Sequence, residues 1–213
     1  MHKRLRSVGI GLFLGMFLIG LAMAQSSEDK GLRIAQEADR RDEGFQDTTA
    51  NMEMILMNRH GEKNVRDIRT RTLEVTDDGD KSLIIFDSPM DVKGTAFLNF
   101  THKHGDDDQW LYLPALRRVK RISSNNKSGS FMGSEFSYED IASQEVEKYT
   151  YKWLRDETLN GQPCYVIERY PRDQRNSGYT KEVVWIDKDK YRTLKVEYYD
   201  RKSSLLKTLT MSD

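Results

Sequence analysis

The stretch EVEKYTYKWLRDETLNGQPCYVIERYP, residues 145–171, contains the pattern that decides the fold. Apolar and aromatic residues alternate with polar ones on both sides of Asn160-Gly161, as they do in half-buried strands. Asn-Gly is the dipeptide that most strongly indicates a two-residue hairpin turn, because both residues accept the positive φ angles that the turn needs. The stretch therefore predicts two antiparallel strands joined by a tight turn.

The same pattern recurs along most of the chain. Segments of period two, separated by Gly, Asp, Asn or Pro, run from residues 50–58 to residues 203–211 and number about ten or eleven. The short turns between them indicate a meandering antiparallel sheet. Because so many twisted strands tend to curl, we expect a mainly β fold in which the sheet bends on itself.

The first 24 residues have the layout of a secretory signal peptide. A cationic head (residues 2–6) precedes an uncharged apolar run (residues 8–21), and Ala22-Met23-Ala24 supplies small residues at the A-x-A positions. Gln25 stands where a bacterial lipoprotein needs a cysteine, so we expect a cleaved, soluble, periplasmic protein without a lipid. An uncleaved membrane anchor is the alternative, although the run is short for a spanning helix.

Charge and cysteine content narrow the function classes. The chain has 34 basic and 34 acidic side chains, and removal of the leader, which is basic, leaves a net negative charge. Bulk charge therefore argues against nucleic acid as a partner. Residues 25–213 suit a single domain. Cys164 is the only cysteine, so no internal disulfide forms, and its place in a predicted strand indicates a buried core residue and not a nucleophile.

Two segments interrupt the strand pattern. Residues 26–43 predict a helix with Ser27 as its cap and Gly44 at its end. The 123–144 loop is polar and rich in glycine, yet it contains several aromatic residues. We interpret it as a flap that lays an apolar patch over the sheet, with a helical turn in SYEDIA capped by Ser137. A disordered surface loop is the alternative. The predicted flap contacts are Phe131, Met132 and Phe136.

The sequence contains no common catalytic or phosphate-binding motif. His102-Lys103-His104 with the acidic residues 106–108 is the best metal candidate, because alternate residues of a strand share a face. Polar residues at a strand end are also expected for solvation alone. We therefore predict no metal, no cofactor and no catalytic residues, and a non-enzymatic protein.

A basic cluster follows the proline turn at Pro114. It consists of Arg117, Arg118, Lys120 and Arg121. The simplest interpretation is a solvated edge strand whose aliphatic stems lie along the sheet. A docking face for anionic headgroups or an acidic partner is the alternative, and it predicts transient contact with a membrane surface.

Several segments carry bulky residues on both faces, such as residues 83–86 and 183–186. A curled sheet with a helix on one face and an apolar interior explains this pattern. On alternation alone, the candidate residues of a cavity wall are Trp110, Tyr112, Trp153 and Trp185. A filled core is the alternative, since alternation does not distinguish a packed interior from a hollow one.

At these residues the sequence resembles the outer-membrane lipoprotein-sorting family of LolA/LolB-like periplasmic carriers. The resemblance rests on the helix after the leader, the D-x-x-W-x-Y-x-P hairpin at residues 107–114, and the blocks LPALRRVKRI and SFMGSEFSYEDI at residues 113–122 and 130–141. The last two resemble a subgroup associated with lipid exporters of the resistance-nodulation-division (RND) type. Related chains usually continue with further strands, so this chain is expected to be shortened or truncated after residue 213.

The resemblance implies an incomplete antiparallel β-barrel of about 10–11 strands, with an N-terminal helix and a short helical flap over an apolar cavity. It also implies a carrier that shelters the acyl chains of a lipid or lipoprotein between membranes, with an inner-membrane RND-type transporter as a further expected partner. Two alternatives remain at this point: an accessory or adaptor protein of such an exporter without its own lipid, and a metal-dependent enzyme.

Overall fold

The computed structural model describes the backbone of residues 11–212 and the side chains of residues 27–212. Its first element is the helix α1 (Gly11–Asp42). The helix passes through Ser27 without a break, so the prediction that it begins there is wrong; the residues just before Ser27 are mostly good helix formers and continue it. The predicted end is confirmed, because Gly44 follows with a φ of +95°.

The predicted signal peptide, residues 1–24, lies outside the side chains that the structure describes. Within the described residues, none of the helices combines the length and the apolar character needed to cross a bilayer.

The first antiparallel sheet, sheet 1, is a meander in which each strand pairs with its neighbours in the chain. Its six strands are β1 (Asp47–Met57), β2 (Lys63–Leu73), β3 (Lys81–Phe86), β4 (Ala96–Phe100), β5 (Asp108–Leu113) and β6 (Arg118–Ile122). The second antiparallel sheet, sheet 2, has the same kind of order. Its five strands are β7 (Tyr149–Leu159), β8 (Gln162–Pro171), β9 (Tyr179–Asp187), β10 (Thr193–Asp200) and β11 (Leu205–Thr210).

The predicted hairpin at Asn160-Gly161 is confirmed. Leu159 at the end of β7 faces Gln162 at the start of β8, and the two turn residues have φ angles of +50° and +86°. Both angles are positive, as the favoured two-residue hairpin turn requires. The local sequence thus fixes the register of the two strands that lie under the helix.

α1 packs on one face of sheet 2. Ile34 and Ala35 of the helix are buried against Ile167, Val184 and Val196 of the sheet. The approach is close at Gly31, where an added Cβ would lie 2.7 Å from the backbone nitrogen of Trp153. A glycine is therefore needed for the helix to lie on β7, and that contact determines which face of sheet 2 points inward.

The 123–144 loop packs on the inner face of sheet 1. Its predicted helical turn is confirmed as α2 (Tyr138–Ile141), and the backbone N–H of Ser137 donates to the Asp140 carboxylate at 2.6 Å. Phe131 is fully buried and lies edge-on to Phe97, with ring centroids 5.3 Å apart. The inner face of sheet 1 is thereby filled by a side chain of the loop.

The same loop also ties sheet 1 to sheet 2. Asp140 accepts a hydrogen bond from the hydroxyl of Tyr179 on β9 at 2.8 Å and pairs with Lys207 on β11. On the other side, the guanidinium of Arg66 on β2 donates to the carbonyl of Met132 at 2.6 Å. The two sheets remain separate and open, and they match the predicted incomplete barrel with its 11 strands, N-terminal helix and short helical turn.

Candidate functional site

A cavity of about 940 Å³ lies between the last turns of α1, the connection from β2 to β3, residues 142–146 and the inner face of sheet 2. Its size is within the range of sites that bind small molecules. A second cavity, of about 330 Å³, shares Lys103 and residues 142–144 in its lining. We treat the larger cavity as the candidate site because it borders the buried helix–sheet contact.

The floor of the large cavity is apolar. Ile167 of β8 and Val184 and Ile186 of β9 line it, and all three are almost completely buried. Val184 and Ile186 are two residues apart and therefore point to the same face of the sheet. Ala35 of α1 and Tyr151 of β7 extend this surface. These residues form the apolar part of the cavity lining.

One end of the floor is closed by a buried ion pair. The Nε of Arg169 donates to Oε2 of Glu182 at 2.7 Å. Burial opposes the charge of Arg169, but the neighbouring carboxylate of Glu182 outweighs burial and raises the pKa of the guanidinium further. Burial raises the pKa of Glu182, and the contact with Arg169 opposes that rise. The two side chains bind each other, so they limit the apolar floor without offering a free charge.

The cavity lining also carries three carboxylates, which we call the acidic pole: Asp39 of α1, Asp80 before β3 and Glu145 before β7. All three line the cavity. Burial, helped by the charge of Asp39, raises the pKa of Glu145 to about 7. Burial also raises the pKa values of Asp39 and Asp80. Gly79 makes this arrangement possible, since a Cβ there would lie 2.8 Å from the Glu145 carboxylate.

The structure does not bring the four predicted wall residues together. Trp185 is 4% exposed but lies on the outer face of sheet 2 in a cluster with Cys164, where the Lys195 ammonium sits 4.2 Å from its ring centroid. Trp153 lies under the helix, with the Lys30 ammonium 3.5 Å from its ring centroid.

The other two predicted wall residues lie on the outer face of sheet 1. Trp110 packs edge-on against Phe100 with centroids 5.4 Å apart, and Tyr112, two residues further along β5, is exposed. Neither Trp110, Tyr112, Trp153 nor Trp185 is among the residues that line the 940 Å³ cavity. The residues that do line its floor were visible in the sequence as the alternate positions of VVWI, residues 183–186, but the pattern did not indicate which set faces inward.

The three predicted flap residues do lie together. Phe131 is fully buried, and Met132 and Phe136 pack against the same cluster, which includes Ile68, Phe86 and Phe97. The ring of Phe131 is part of the core of sheet 1, so its replacement should destabilise the fold. Cys164 is buried as expected.

The predicted edge strand of basic residues is confirmed by the sheet order, in which β6 is the last strand of sheet 1. Arg117, Arg118, Lys120 and Arg121 are all exposed. Arg121 pairs with Asp108, and Val119, which lies between Arg118 and Lys120 in the chain, is 64% exposed. The strand therefore presents cations and apolar side chains to solvent side by side.

The histidine that the sequence suggested as a metal ligand, His102, takes part in a local ion-pair network. Nδ1 of His102 lies 2.6 Å from the Asp78 carboxylate and Nε2 lies 3.5 Å from Asp108. The hydrogen bond with Asp78 raises the pKa of His102. Among residues 27–212, no three His, Cys, Asp or Glu side chains are grouped closely enough to hold a metal ion.

Comparison with known proteins identifies the fold family. A domain from Vibrio parahaemolyticus named for outer membrane lipoprotein sorting is 62% identical, with a TM-score of 0.85, and the match covers 87% of this chain and 78% of that one. A DUF1329 family protein from Desulfovibrio piger is 35% identical over 86% of this chain and 78% of its own, with a TM-score of 0.80.

A LolA superfamily protein from Nitrosomonas europaea shares the fold at 22% identity, with a TM-score of 0.59 over 87% of this chain and 75% of that one. A family model described as an uncharacterized protein matches residues 78–213, and no curated protein matches the sequence. The chain belongs to the outer membrane lipoprotein-sorting and DUF1329 proteins, and it shares the fold of the LolA superfamily.

Proposed function

We propose that the protein is a non-enzymatic periplasmic carrier that shelters an acyl chain of a lipid or lipoprotein in the 940 Å³ cavity and passes it between membranes. The observation that carries this proposal is the apolar floor formed by Ile167, Val184 and Ile186 under the end of α1. Family membership supports it, since a 62% identical relative is named for lipoprotein sorting. The proposed cargo contacts are these floor residues.

The mixed character of the lining supports release as well as binding. Each methylene removed from water contributes about 0.8 kcal/mol, so a fully buried acyl chain of the usual length would be held by more than about 10 kcal/mol and would leave very slowly. Asp39, Asp80 and Glu145 also line the cavity, so a chain on the floor is only partly enclosed by apolar groups. A carrier benefits from such partial shelter, because an acceptor then needs only a modest advantage in affinity.

The direct experiment is mass spectrometry of organic extracts from protein purified out of its native periplasm. We expect bound lipid in the wild type. Ala38→Trp, which places a large ring in the cavity lining, should remove most of it. Ala50→Trp makes the same change on an exposed position of β1 and should retain the lipid. An extract free of lipid, or equal lipid in both variants, would contradict the proposal.

A second candidate function is that of an adaptor subunit that docks on an RND-type exporter or on an anionic membrane surface. The observation that favours it is the exposed row of Arg117, Arg118 and Lys120 beside the exposed Val119 on an edge strand. Cations next to apolar groups suit an acidic partner with an apolar component. Stable capture of an exporter by a protein whose extract contains no lipid would favour the adaptor over the carrier.

A further inference from the structure

The first strand of sheet 1 has a long free edge. Within the described residues, β1 pairs with β2 and with no other strand. All eleven of its residues pair with β2 in an unbroken register, so no bulge bends the strand away. Every residue from Asp47 to Glu53 is exposed, so neither the helix nor the 123–144 loop covers this edge. An uncovered edge of this length is a template for a further strand.

The pairing with β2 identifies the free backbone groups of this edge. At the two ends of the β1–β2 ladder, the N–H of Asn58 donates to the carbonyl of Glu62 at 3.1 Å, and the N–H of Glu74 donates to the carbonyl of Gln46 at 2.8 Å. Because bonded residues alternate along an antiparallel pair, the even-numbered residues of β1 bond to β2. The odd-numbered residues therefore direct their N–H and C=O groups away from β2, toward an added strand.

The side chains of β1 lack the features that usually protect a sheet edge. Its sequence, DTTANMEMILM, contains no proline, glycine, lysine or arginine, and its charged residues are Asp47 and Glu53. Met52 on the inner face is 53% exposed, and Ile55 and Met57 on the outer face are 50% and 66% exposed. Charges, prolines and bulges are the common means of blocking edge-to-edge pairing. The strand instead presents apolar side chains on both faces beside free backbone donors and acceptors.

We propose that β1 is a self-association site, at which the β1 strands of two copies pair antiparallel and join two copies of sheet 1 into one continuous sheet. A register centred on Met52 pairs the whole strand, because the first residue of one copy then faces the last residue of the other. In this register Met52 packs on Met52 of the second copy, and Glu53 faces Asn51. Asp47 lies near Arg59, a basic residue of the β1–β2 turn. No charge directly faces a like charge, so the strand is complementary to itself.

A second copy explains this edge better than a membrane surface does. The hydrocarbon of a bilayer cannot satisfy the backbone groups of a sheet edge, and the two acidic residues of β1 disfavour an anionic surface. None of residues 47–57 lines the 940 Å³ cavity. The association therefore leaves the cavity open, and this inference is independent of the proposed carrier function.

Sedimentation velocity of the purified protein, at concentrations from micromolar to millimolar, tests the association. We expect a monomer–dimer equilibrium for the wild type. Asn51→Pro should weaken it about tenfold, because the ring removes an outward N–H and leaves the bonds to β2 intact. An unchanged circular dichroism spectrum shows that this variant is folded. Thr208→Pro is the matched control on the free edge of β11, where the N–H of Met211 bonds to β10, and it should leave the association unchanged.

Cysteine cross-linking tests the register. The two Met52 side chains face each other in the proposed dimer, so Met52→Cys should form a disulfide-linked dimer under mild oxidation. Ile55→Cys, at a similarly exposed position, faces Thr49 of the second copy and should not cross-link. Cys164 is buried and does not compete. A wild type that stays monomeric at every concentration, a dimer unaffected by Asn51→Pro, or equal cross-linking of the two cysteine variants overturns the proposal.

Discussion

Sheet 1 and sheet 2 bury their inner faces in different ways. The inner face of sheet 1 is filled by the protein itself, since Phe131 from the 123–144 loop is inserted among Phe86 and Phe97. The inner face of sheet 2 is covered by α1. The 940 Å³ cavity lies beside the end of this helix and is lined by Ile167 and Val184. The same strand pattern thus produced an inner face of sheet 1 that is largely filled by Phe131 and an inner face of sheet 2 that borders the larger cavity.

The largest effect on the free energy of unfolding is expected in the core of sheet 1. Phe131→Ala removes a fully buried ring from sheet 1 and should lower the free energy of unfolding by about 3–5 kcal/mol. Urea denaturation followed by circular dichroism measures this change. The matched control is Phe45→Ala, a half-buried position that lines the cavity of sheet 2, which should cost about 1 kcal/mol or less. Equal losses would show that the two halves are not packed differently.

A somewhat smaller effect is expected where the two sheets are joined. Asp140→Ala leaves the hydroxyl of Tyr179 and the ammonium of Lys207 without their buried acceptor and should lower stability by about 2–4 kcal/mol. Limited proteolysis should also cut the 123–144 loop faster. Asp91→Ala, an exposed aspartate between β3 and β4, serves as the control. A loop equally resistant in both variants would mean that Asp140 does not hold the sheets together.

The stability of the protein should depend on pH because of Glu145 in the cavity lining. Burial and the nearby charges of Asp39, Asp80, Lys103 and Lys148 set the pKa of Glu145 at about 7, above its ordinary value of 4.5. The folded state therefore binds a proton more tightly than the unfolded state does. The stabilisation that protonated Glu145 provides is fully present below pH 4.5 and is lost as the pH rises through 7.

Glu145→Gln is neutral at every pH and does not suffer this loss. The variant should be more stable than wild type by about 1–2 kcal/mol at pH 8, and the difference should shrink toward pH 4.5. Thermal melts at a series of pH values measure it, with Glu53→Gln as the control for an exposed glutamate. A constant difference across pH would place Glu145 in a solvated environment and not in the acidic pole.

The smallest effect on stability is expected outside both interiors. Reversal of Arg117 and Arg118 to Glu, at the start of the exposed strand β6, should change the free energy of unfolding by less than about 0.5 kcal/mol. If β6 docks on an anionic surface, binding to phosphatidylglycerol vesicles should weaken and lose its salt dependence. Reversal of Arg59 and Lys63, in the β1–β2 hairpin, is the control for net charge. Equal vesicle binding by both double variants would leave β6 as a solvated edge.

The sequence predicted the elements well because local chemistry determines them. Asn160-Gly161 imposes its turn through positive φ angles, and Ser137 with Asp140 starts α2 at the predicted place. The number of strands followed from period-two alternation and turn residues. Each of these features depends on neighbours within a few positions, so no tertiary information was needed.

The site was harder to predict because it depends on which face each strand turns inward. In VVWI both faces are apolar, and Trp185 lies on the outer face beneath Lys195 while Val184 faces the helix. The aromatic residues of the 123–144 loop correctly indicated an apolar cover, but whether Phe131 fills a space or only borders it depends on the distance to sheet 1. The acidic pole joins residues from three distant segments and leaves no sequence pattern at all.

The most direct test of the difference between the two interiors is methyl NMR with a neutral decyl chain that carries a nitroxide at its end. The carrier account predicts strong paramagnetic broadening of the methyl groups of Ile167, Val184 and Ile186, and little broadening of Ile68 and Leu111 within sheet 1. Equal broadening at both sets of methyl groups, or none at the floor of sheet 2 with the probe in excess, would contradict it.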